Sequence, residues 1–479
     1  MPRPQFPARI PHAFLLALLL SGLALLPFAA AQAGSISITH VTVIDVMTGA
    51  ELKDETVVLR DGRISSVAPA SVSPASVSPA SSAPASDNQA IDAQGGFLIP
   101  GLWDMHVHIQ DTNDLPLYIA NGVTGVRLMF GAKDTPALRK ELAAVPVSPQ
   151  ILVGSATVDG NPPVWPGSIV VTNAKEARKV VDEIKAGGAD FVKIYGGLSR
   201  NSYFALADEA RKQNIPFVGH LPFEVTAQEA SDAGQRSIEH LDGIAFGCSS
   251  QEKEYTLQRE AAPNYVARMH VEGMAYNTFD GRQCMTLFVK FRQNQTWQVP
   301  TLTVNRAMGL LDDRRLTRDA RLVYMSSRTR EHWSDDPRFR RWTPQMFDLK
   351  RALFAADEKL VGAMYRAGVP IMAGTDAMNP FCFPGFSLHD ELALLVEAGL
   401  TPLAALQSAT LRPAEFMNRS DEIGTIAAGK RADLVLLDAD PLADIHNTTR
   451  IRGVFLAGKY FDSAAIQHIL DEAKHRRKN

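Results

Sequence analysis

Trp103-Asp104-Met105-His106-Val107-His108 is the stretch on which the reading of this chain turns. It is an apolar run carrying two histidines two residues apart. On a strand, side chains at i and i+2 share a face, so both imidazoles point the same way without any bend in the chain. Two nitrogen ligands converging at a strand end suit zinc and similar ions. Taken alone, His-x-His recurs by chance and among structural histidines, so its meaning depends on what surrounds it.

The chain around it, roughly 97–418, alternates short apolar runs with helical periodicity. Strands are expected at Leu98–His108, Gly122–Leu128, Gln150–Gly154, Phe191–Ile194, Pro216–His220, Arg236–His240, Gln298–Val304 and Pro370–Asp376. Helices are expected at Lys175–Ala186, Tyr203–Gln213, Val225–Ala233 and Ala352–Ala367. Strands that read as continuous apolar runs are those of a parallel sheet covered on both faces. Eight such βα units predict an α/β fold, a (β/α)8 TIM-like barrel with its active site at the C-terminal ends of the strands. The long stretches after His240 and after Arg306 read as helical insertions on that face.

Strand-rich segments flank this middle on both sides. Ile36–Ile44, Thr56–Leu59 and Arg63–Val67 precede it, with Asp61-Gly62 as a tight hairpin turn. Gly424–Ile426, Ala432–Asp438 and Arg450–Leu456 follow it. Neither end can bury a two-sided sheet alone, so the termini are expected to join in one small β-sandwich. The expected domains begin with a signal peptide (1–33), the N-terminal sandwich segment (34–96) and the barrel (97–418). The C-terminal sandwich segment (419–464) and a C-terminal helix and tail (465–479) complete them. Residues 70–86 are Ser/Pro/Ala low complexity, with Ala-Ser-Val-Ser-Pro at 70–74 and again at 75–79. They read as a flexible loop inside the N-terminal sandwich segment.

The bulk numbers exclude other classes. A formal net charge of -3, with acids and bases interspersed, lacks the basic stripe that nucleic acid requires. The basic run Lys474 to Lys478 is short and terminal, as at a solvated helix end. Arg3 and Arg9 precede the apolar run Ala13–Leu26, and Ala31-Gln32-Ala33 supplies small residues for cleavage. An uncleaved anchor is the competing reading, since Phe14–Ala31 is nearly long enough to span a bilayer. Pro27 and the small-residue exit favour cleavage. The expected location is therefore periplasmic or secreted, without stable membrane association once the signal is removed. The three cysteines cannot form a disulfide framework, and Cys248 with Cys284 is the plausible pair because both fall in one insertion.

Chemistry-bearing residues recur where the strands end. Lys193 lies inside an apolar strand, His220 and His240 each finish one, and Asp376 finishes the eighth. Each has an ordinary explanation: a helix cap, a satisfied core histidine, a lysine paired with a buried acid. Together with His106 and His108 they are six such residues on five strands, which favours a joint metal site.

At these residues the chain resembles the amidohydrolase superfamily, and within it the imidazolonepropionase-like branch that includes dipeptidases and N-acyl-amino-acid hydrolases. The resemblance runs from Pro100-Gly101-Leu102-Trp103-Asp104-Met105-His106-Val107-His108 to Gly424-Thr425-Ile426-Ala427-Ala428-Gly429-Lys430-Arg431-Ala432-Asp433-Leu434-Val435. It implies two divalent metal ions, zinc first among them. His106, His108 and Asp376 would hold the more buried ion and His220 and His240 the outer one. Lys193, carboxylated by CO2, would bridge both. It also implies cleavage of a C–N amide bond, of a dipeptide or N-acyl amino acid, by metal-activated hydroxide with Asp376 as proton shuttle. The alternatives are a cyclic-amide or imidazolone hydrolase, or a non-catalytic metal-containing binding protein. The partner is a small-molecule amide or peptide, and a homo-oligomer is compatible with all of this.

Substrate contacts are thinner in the sequence. Arg127 and Tyr195 are candidates for a substrate carboxylate, with barrel packing the other reading of Arg127. Trp165 is a candidate pocket wall, and Tyr255, Tyr265 and Arg306 lie in the insertions. His389 reads as structural.

Overall fold

In the computed structural model, residues 34–72 and 88–476 are described. The proposed signal peptide (1–33), most of the Ser/Pro/Ala segment (73–87) and the last three residues lie outside them.

The chain opens with β1 (Ile36–Asp45), β2 (Ala50–Arg60) and β3 (Arg63–Pro69), an antiparallel meander. The β2–β3 turn is made by Asp61 and Gly62, with φ 51° and 73°. Two successive positive φ values match the right-handed twist of a tight hairpin, which is why an Asp-Gly pair sits there. Short β4 (Gln89–Asp92) and β5 (Phe97–Pro100) both run parallel to β1.

Gly101 then divides the expected strand Leu98–His108 in two. Its N–H bonds Asp433 O at 2.8 Å, tying β5 to the far end of the chain, and β6 (Leu102–Val107) enters a different sheet. Parallel to β6 lies β7 (Val123–Leu128), followed by β8 (Gln150–Val153). After the two-residue strands β9 (Val158–Asp159) and β10 (Ile169–Val170) come β11 (Val192–Ile194), β12 (Phe217–Gly219), β13 (Ser237–Glu239) and β14 (Trp297–Val299), all paired in parallel. A bridge between Gly154 and Phe191 joins the β8 end to the β11 side. Bridges Gln298 to Ile371 and Val107 to Ala377 connect β14 through residues 370–377 back to β6. The pairings thus form a circuit.

Two expected strands differ. The seventh stops at Val299 rather than Val304, because Pro300 has no N–H to give a ladder and Thr301 turns to φ 49°; a helix, Leu302–Gly309, begins at once. The eighth, 370–377, bonds both neighbours along the backbone, as in Met372 N to Gln298 O and Asp376 N to His106 O, but pairs with them as isolated bridges and not as a continuous ladder. Its Thr375 N–H is spent on the Asp104 carboxylate (3.0 Å) instead of on a ladder.

The helices between strands carry their own start signals. Asn173 caps Ala174–Ala186, and Thr226 with Glu229 forms a reciprocal capping box on Ala227–Asp232. The apolar faces of these helices pack with Val126, Leu128, Val192, Ile194 and Ile238 in one continuous core. Helices at 244–294 follow β13, and 302–366 follow β14, so both insertions are helical where expected. Cys248 and Cys284 are joined by a disulfide within the first, and Cys382 is a buried free thiol.

The chain returns to its starting sheet with β15 (Leu434–Leu437), β16 (Ile451–Leu456) and β17 (Lys459–Asp462). The sheet order β17-β16-β15-β5-β1-β2-β3 interleaves the two ends of the chain. It has a core of its own: Ile38, Val41, Val43, Val57, Leu59, Leu98, Leu434, Leu436 and Phe455. Residues 424–426, expected to be strand, are irregular, with Gly424 at φ 90°. The helix Ser463–Arg476 ends the described chain.

Candidate metal centre

His106 and His108 both reach the side chain of Asp376. Their Nε2 atoms lie 3.4 and 2.8 Å from Asp376 Oδ1. The ring nitrogens are not aimed for hydrogen bonds, and Asp376 Oδ1 is a buried oxygen with no hydrogen-bond partner among the described residues. Buried polar atoms without partners are rare because they forgo solvation for nothing. A buried carboxylate oxygen crowded by imidazole nitrogens is a donor set suited to a cation. One donor atom each from His106, His240 and Asp376 falls within a 4.8 Å span, and all three residues are buried or nearly so.

His220 and Lys193 adjoin this group. The His220 ring lies 4.7 Å from that of His240, and Lys193 Nζ lies 3.5 Å from His220 Nδ1. The six predicted residues therefore form one contiguous cluster at the ends of β6, β11, β12, β13 and 370–377. The backbone is bent to bring them there. His240 (φ 61°), Thr301 (φ 49°) and Asp376 (φ 59°) all occupy the left-handed region. Such conformations persist only where the surrounding packing enforces them, and they gather at functional sites. Gly219, at φ 133°, directly precedes His220, and a Cβ there would meet Ile194 O at 2.3 Å and crowd Lys193 Cδ.

Burial tunes these groups toward ligation. Desolvation lowers His106 to about 4 and His240 to about 3, and it drives His220 well down too, so all three imidazoles offer lone pairs at neutral pH. Burial likewise lowers Lys193 to about 8, and no carboxylate lies within ion-pair distance of it among the described residues. A lysine amine near neutrality is nucleophilic, as carbamate formation requires.

Tautomers are fixed from behind. His106 Nδ1 donates to Glu239 (2.8 Å), which leaves Nε2 unprotonated on the Asp376 side. The Thr301 hydroxyl donates to Pro300 O (2.8 Å) and so accepts from His240 Nδ1 (2.7 Å), again freeing Nε2. Such supports orient metal-binding imidazoles. Neither is among the residues singled out from sequence. Glu239 stands beside His240 inside a buried strand, and that much is visible in the chain; Thr301 has no sequence mark.

Arg127 requires a correction. Its guanidinium is fully buried, and its bonds go to Met105 O (2.6 Å), Ser237 Oγ (3.0 Å) and both oxygens of Glu239 (2.9 and 3.0 Å). Sealed in the barrel interior by these partners, it does not face a substrate. Tyr195 keeps its place: its ring lies 4.0 Å from that of His220, and its hydroxyl accepts from Trp165 Nε1 at 3.0 Å. Tyr255 is buried in an apolar cluster, whereas Tyr265 is exposed and stacks on Trp342. Arg306 lies on the helix after β14, in no ion pair among the described residues. His389 is buried and bonded on both nitrogens, to Thr448 Oγ1 and Asn121 O.

The amidohydrolase family profile matches residues 350–460. An imidazolonepropionase of Shouchella clausii is 38% identical over 101 residues, which cover 20% of this chain and 22% of that protein. The chain thus aligns with only about a fifth of that relative's length. Over residues 350–460 the chain is therefore similar to the amidohydrolase family. An adenine deaminase of Ligilactobacillus salivarius is 33% identical over 69 residues, 14% of this chain and 12% of that one. Among solved structures, a bottromycin amidohydrolase superposes with TM-score 0.68 at 25% identity, covering 92% of this chain and 90% of its own. A putative prolidase from Bifidobacterium longum gives 0.64 at 22% identity, covering 92% and 99%. These likenesses give the chain a TIM-barrel-like α/β fold.

Proposed function

We propose that this chain hydrolyses a C–N amide bond of a dipeptide or N-acyl amino acid. The observation that carries the reading is the buried Asp376 oxygen that faces two imidazoles without a hydrogen bond. On this reading the circuit of parallel pairings is a closed (β/α)8 barrel over about 97–418. The interleaved terminal sheet folds over its own core as a small sandwich from 34–96 and 419–464.

His106, His108 and Asp376 would hold one divalent cation and His220 and His240 a second, with zinc suited to the N/O donors. Lys193, carboxylated, would supply the bridging anion. When bound, such ions polarise a carbonyl and make water acidic enough to attack it. Asp376 takes the proton from the attacking water and returns it to the leaving nitrogen. Glu239 and Thr301 keep the imidazoles in the ligating tautomer, and Tyr195 faces the carbonyl side of the cluster.

The leader-like 1–33 segment and the Cys248–Cys284 disulfide support a periplasmic or secreted location, since such bonds persist in oxidising compartments. A cyclic-amide substrate is the second reading, favoured by the imidazolonepropionase matches. The test is turnover by metal-loaded protein of dipeptides and N-acetyl amino acids beside five-membered lactams and imidazolones, with and without prior chelation. Hydrolysis of the linear set that chelation abolishes is expected. Turnover of the cyclic set alone selects the second reading, and turnover of neither defeats both.

A further inference from the structure

Two arginines of the first helical insertion stack on one ring, Phe223, and their situations are opposite. Arg259 lies 5.3 Å from the ring centroid, is 4% exposed, and is paired with the Asp242 carboxylate. Asp242 also accepts from Leu221 N (2.9 Å), so this pair braces the loop after His220. Arg268 lies 4.5 Å from the same centroid. Among the described residues its guanidinium bonds only Ala262 O, at 3.4 Å, and no carboxylate lies within ion-pair distance of it. Glu272, one turn along the same helix, faces Lys350 and Asp357 instead. A half-buried guanidinium with spare donors, beside a second arginine, is short of an anion.

Its position says which anion. Phe223 N bonds Gly196 O (3.0 Å), and its ring fills the space where a Gly196 side chain would sit. Gly196 follows Tyr195, whose ring lies against the metal-site histidine His220. Successive contacts thus run from Arg268 through Phe223 and the Tyr195-Gly196 pair to His220 at the edge of the cluster.

We propose that Arg268 receives the free carboxylate of the substrate, so that the site selects amides of amino acids bearing an apolar side chain over neutral amides. This rests on the hydrolytic reading above and narrows it to a substrate class. It also moves the carboxylate-binding role from the barrel strand to the inserted helix. Arg268 is a binding residue and takes no part in proton transfer.

Calorimetry on zinc-supplemented D376N, whose slowed turnover leaves time to read binding, tests it with N-acetyl-L-phenylalanine and its carboxamide as probes. The acid is expected to bind at least tenfold more tightly than the carboxamide. Adding R268Q should erase that preference and leave carboxamide binding within threefold; R268K should retain part of it. In the otherwise native protein, R268Q should raise KM for N-acyl amino acids at least tenfold and change kcat less than threefold. Equal binding of acid by D376N and R268Q/D376N, or no preference for the acid in D376N, overturns the proposal. If the native protein hydrolyses linear amides and R268Q leaves KM unchanged, the carboxylate assignment falls and the hydrolytic reading stands. Arg268-dependent acid binding without any amide turnover by native protein has the reverse meaning.

Discussion

The barrel strands carry two sets of buried polar groups that meet at His106, and the two are built on opposite principles. Below lies a floor in which every charged group is met by hydrogen bonds from its neighbours. Arg127 donates to Glu239, Ser237 and Met105, and Asp104 accepts from Thr375 N, Thr375 Oγ1 and His106 N. Above lies the mouth, where, among the described residues, Asp376 Oδ1 has no hydrogen bond and Lys193 has no anion within ion-pair reach. The floor is sealed from water and the mouth is only slightly more open, with Asp376 7% exposed, so burial separates them little. Satisfaction does: a closed network is a structural element, while an open one awaits a ligand.

Breaking the mouth should cost chemistry and leave the fold alone. D376N is expected to lower kcat by about 10³-fold, within the range typical of lost acid–base groups. Its urea midpoint should stay near that of the native protein; a large fall would move Asp376 into the floor. Breaking the floor should do the reverse. R127M strands the Glu239 carboxylate in the interior and is expected to cost about 3–5 kcal/mol in denaturant unfolding. Native stability with lost turnover would return Arg127 to the site.

The joint between the two regions is sharpened by T301V, which leaves the imidazole of His240 without its tautomer-fixing partner. Metal affinity should fall about 10- to 100-fold in competition with a chromophoric chelator, with little change in apoprotein stability. Unchanged affinity would show that His240 needs no such support.

The smallest effect concerns a buried imidazole outside both regions. Burial lowers His389 to about 4, below its unfolded value of 6.5. Between those values the unfolded chain binds a proton that the folded chain refuses. The contribution is therefore present above pH 6.5 and is lost as pH falls toward 4. H389Q should flatten the stability–pH curve between pH 6.5 and 4.5 by at most about 1.4 kcal/mol per unit. An unchanged slope would show that His389 titrates normally.

Much of this was legible without coordinates because it is local. The period-two spacing of His106 and His108 brings both to one carboxylate, and continuous apolar runs located the parallel strands. The eighth segment is marked by its Ala373-Gly374-Thr375-Asp376 sequence, yet it is not a regular strand, because its amide is diverted to Asp104. The seventh reads too long, since Leu302–Val304 is as apolar as a strand and only the turn at Pro300 and Thr301 ends it.

Sequence alone determined which residue types stand at the strand ends, because strand periodicity and apolar runs are properties of neighbours along the chain. Tertiary structure decided what each charge meets. Arg127, Arg259 and Arg268 are the same residue on paper, and their roles diverge only when distant segments place a carboxylate beside two of them and none beside the third. Electrostatic partnership acts through space, over distances that the order of residues does not encode.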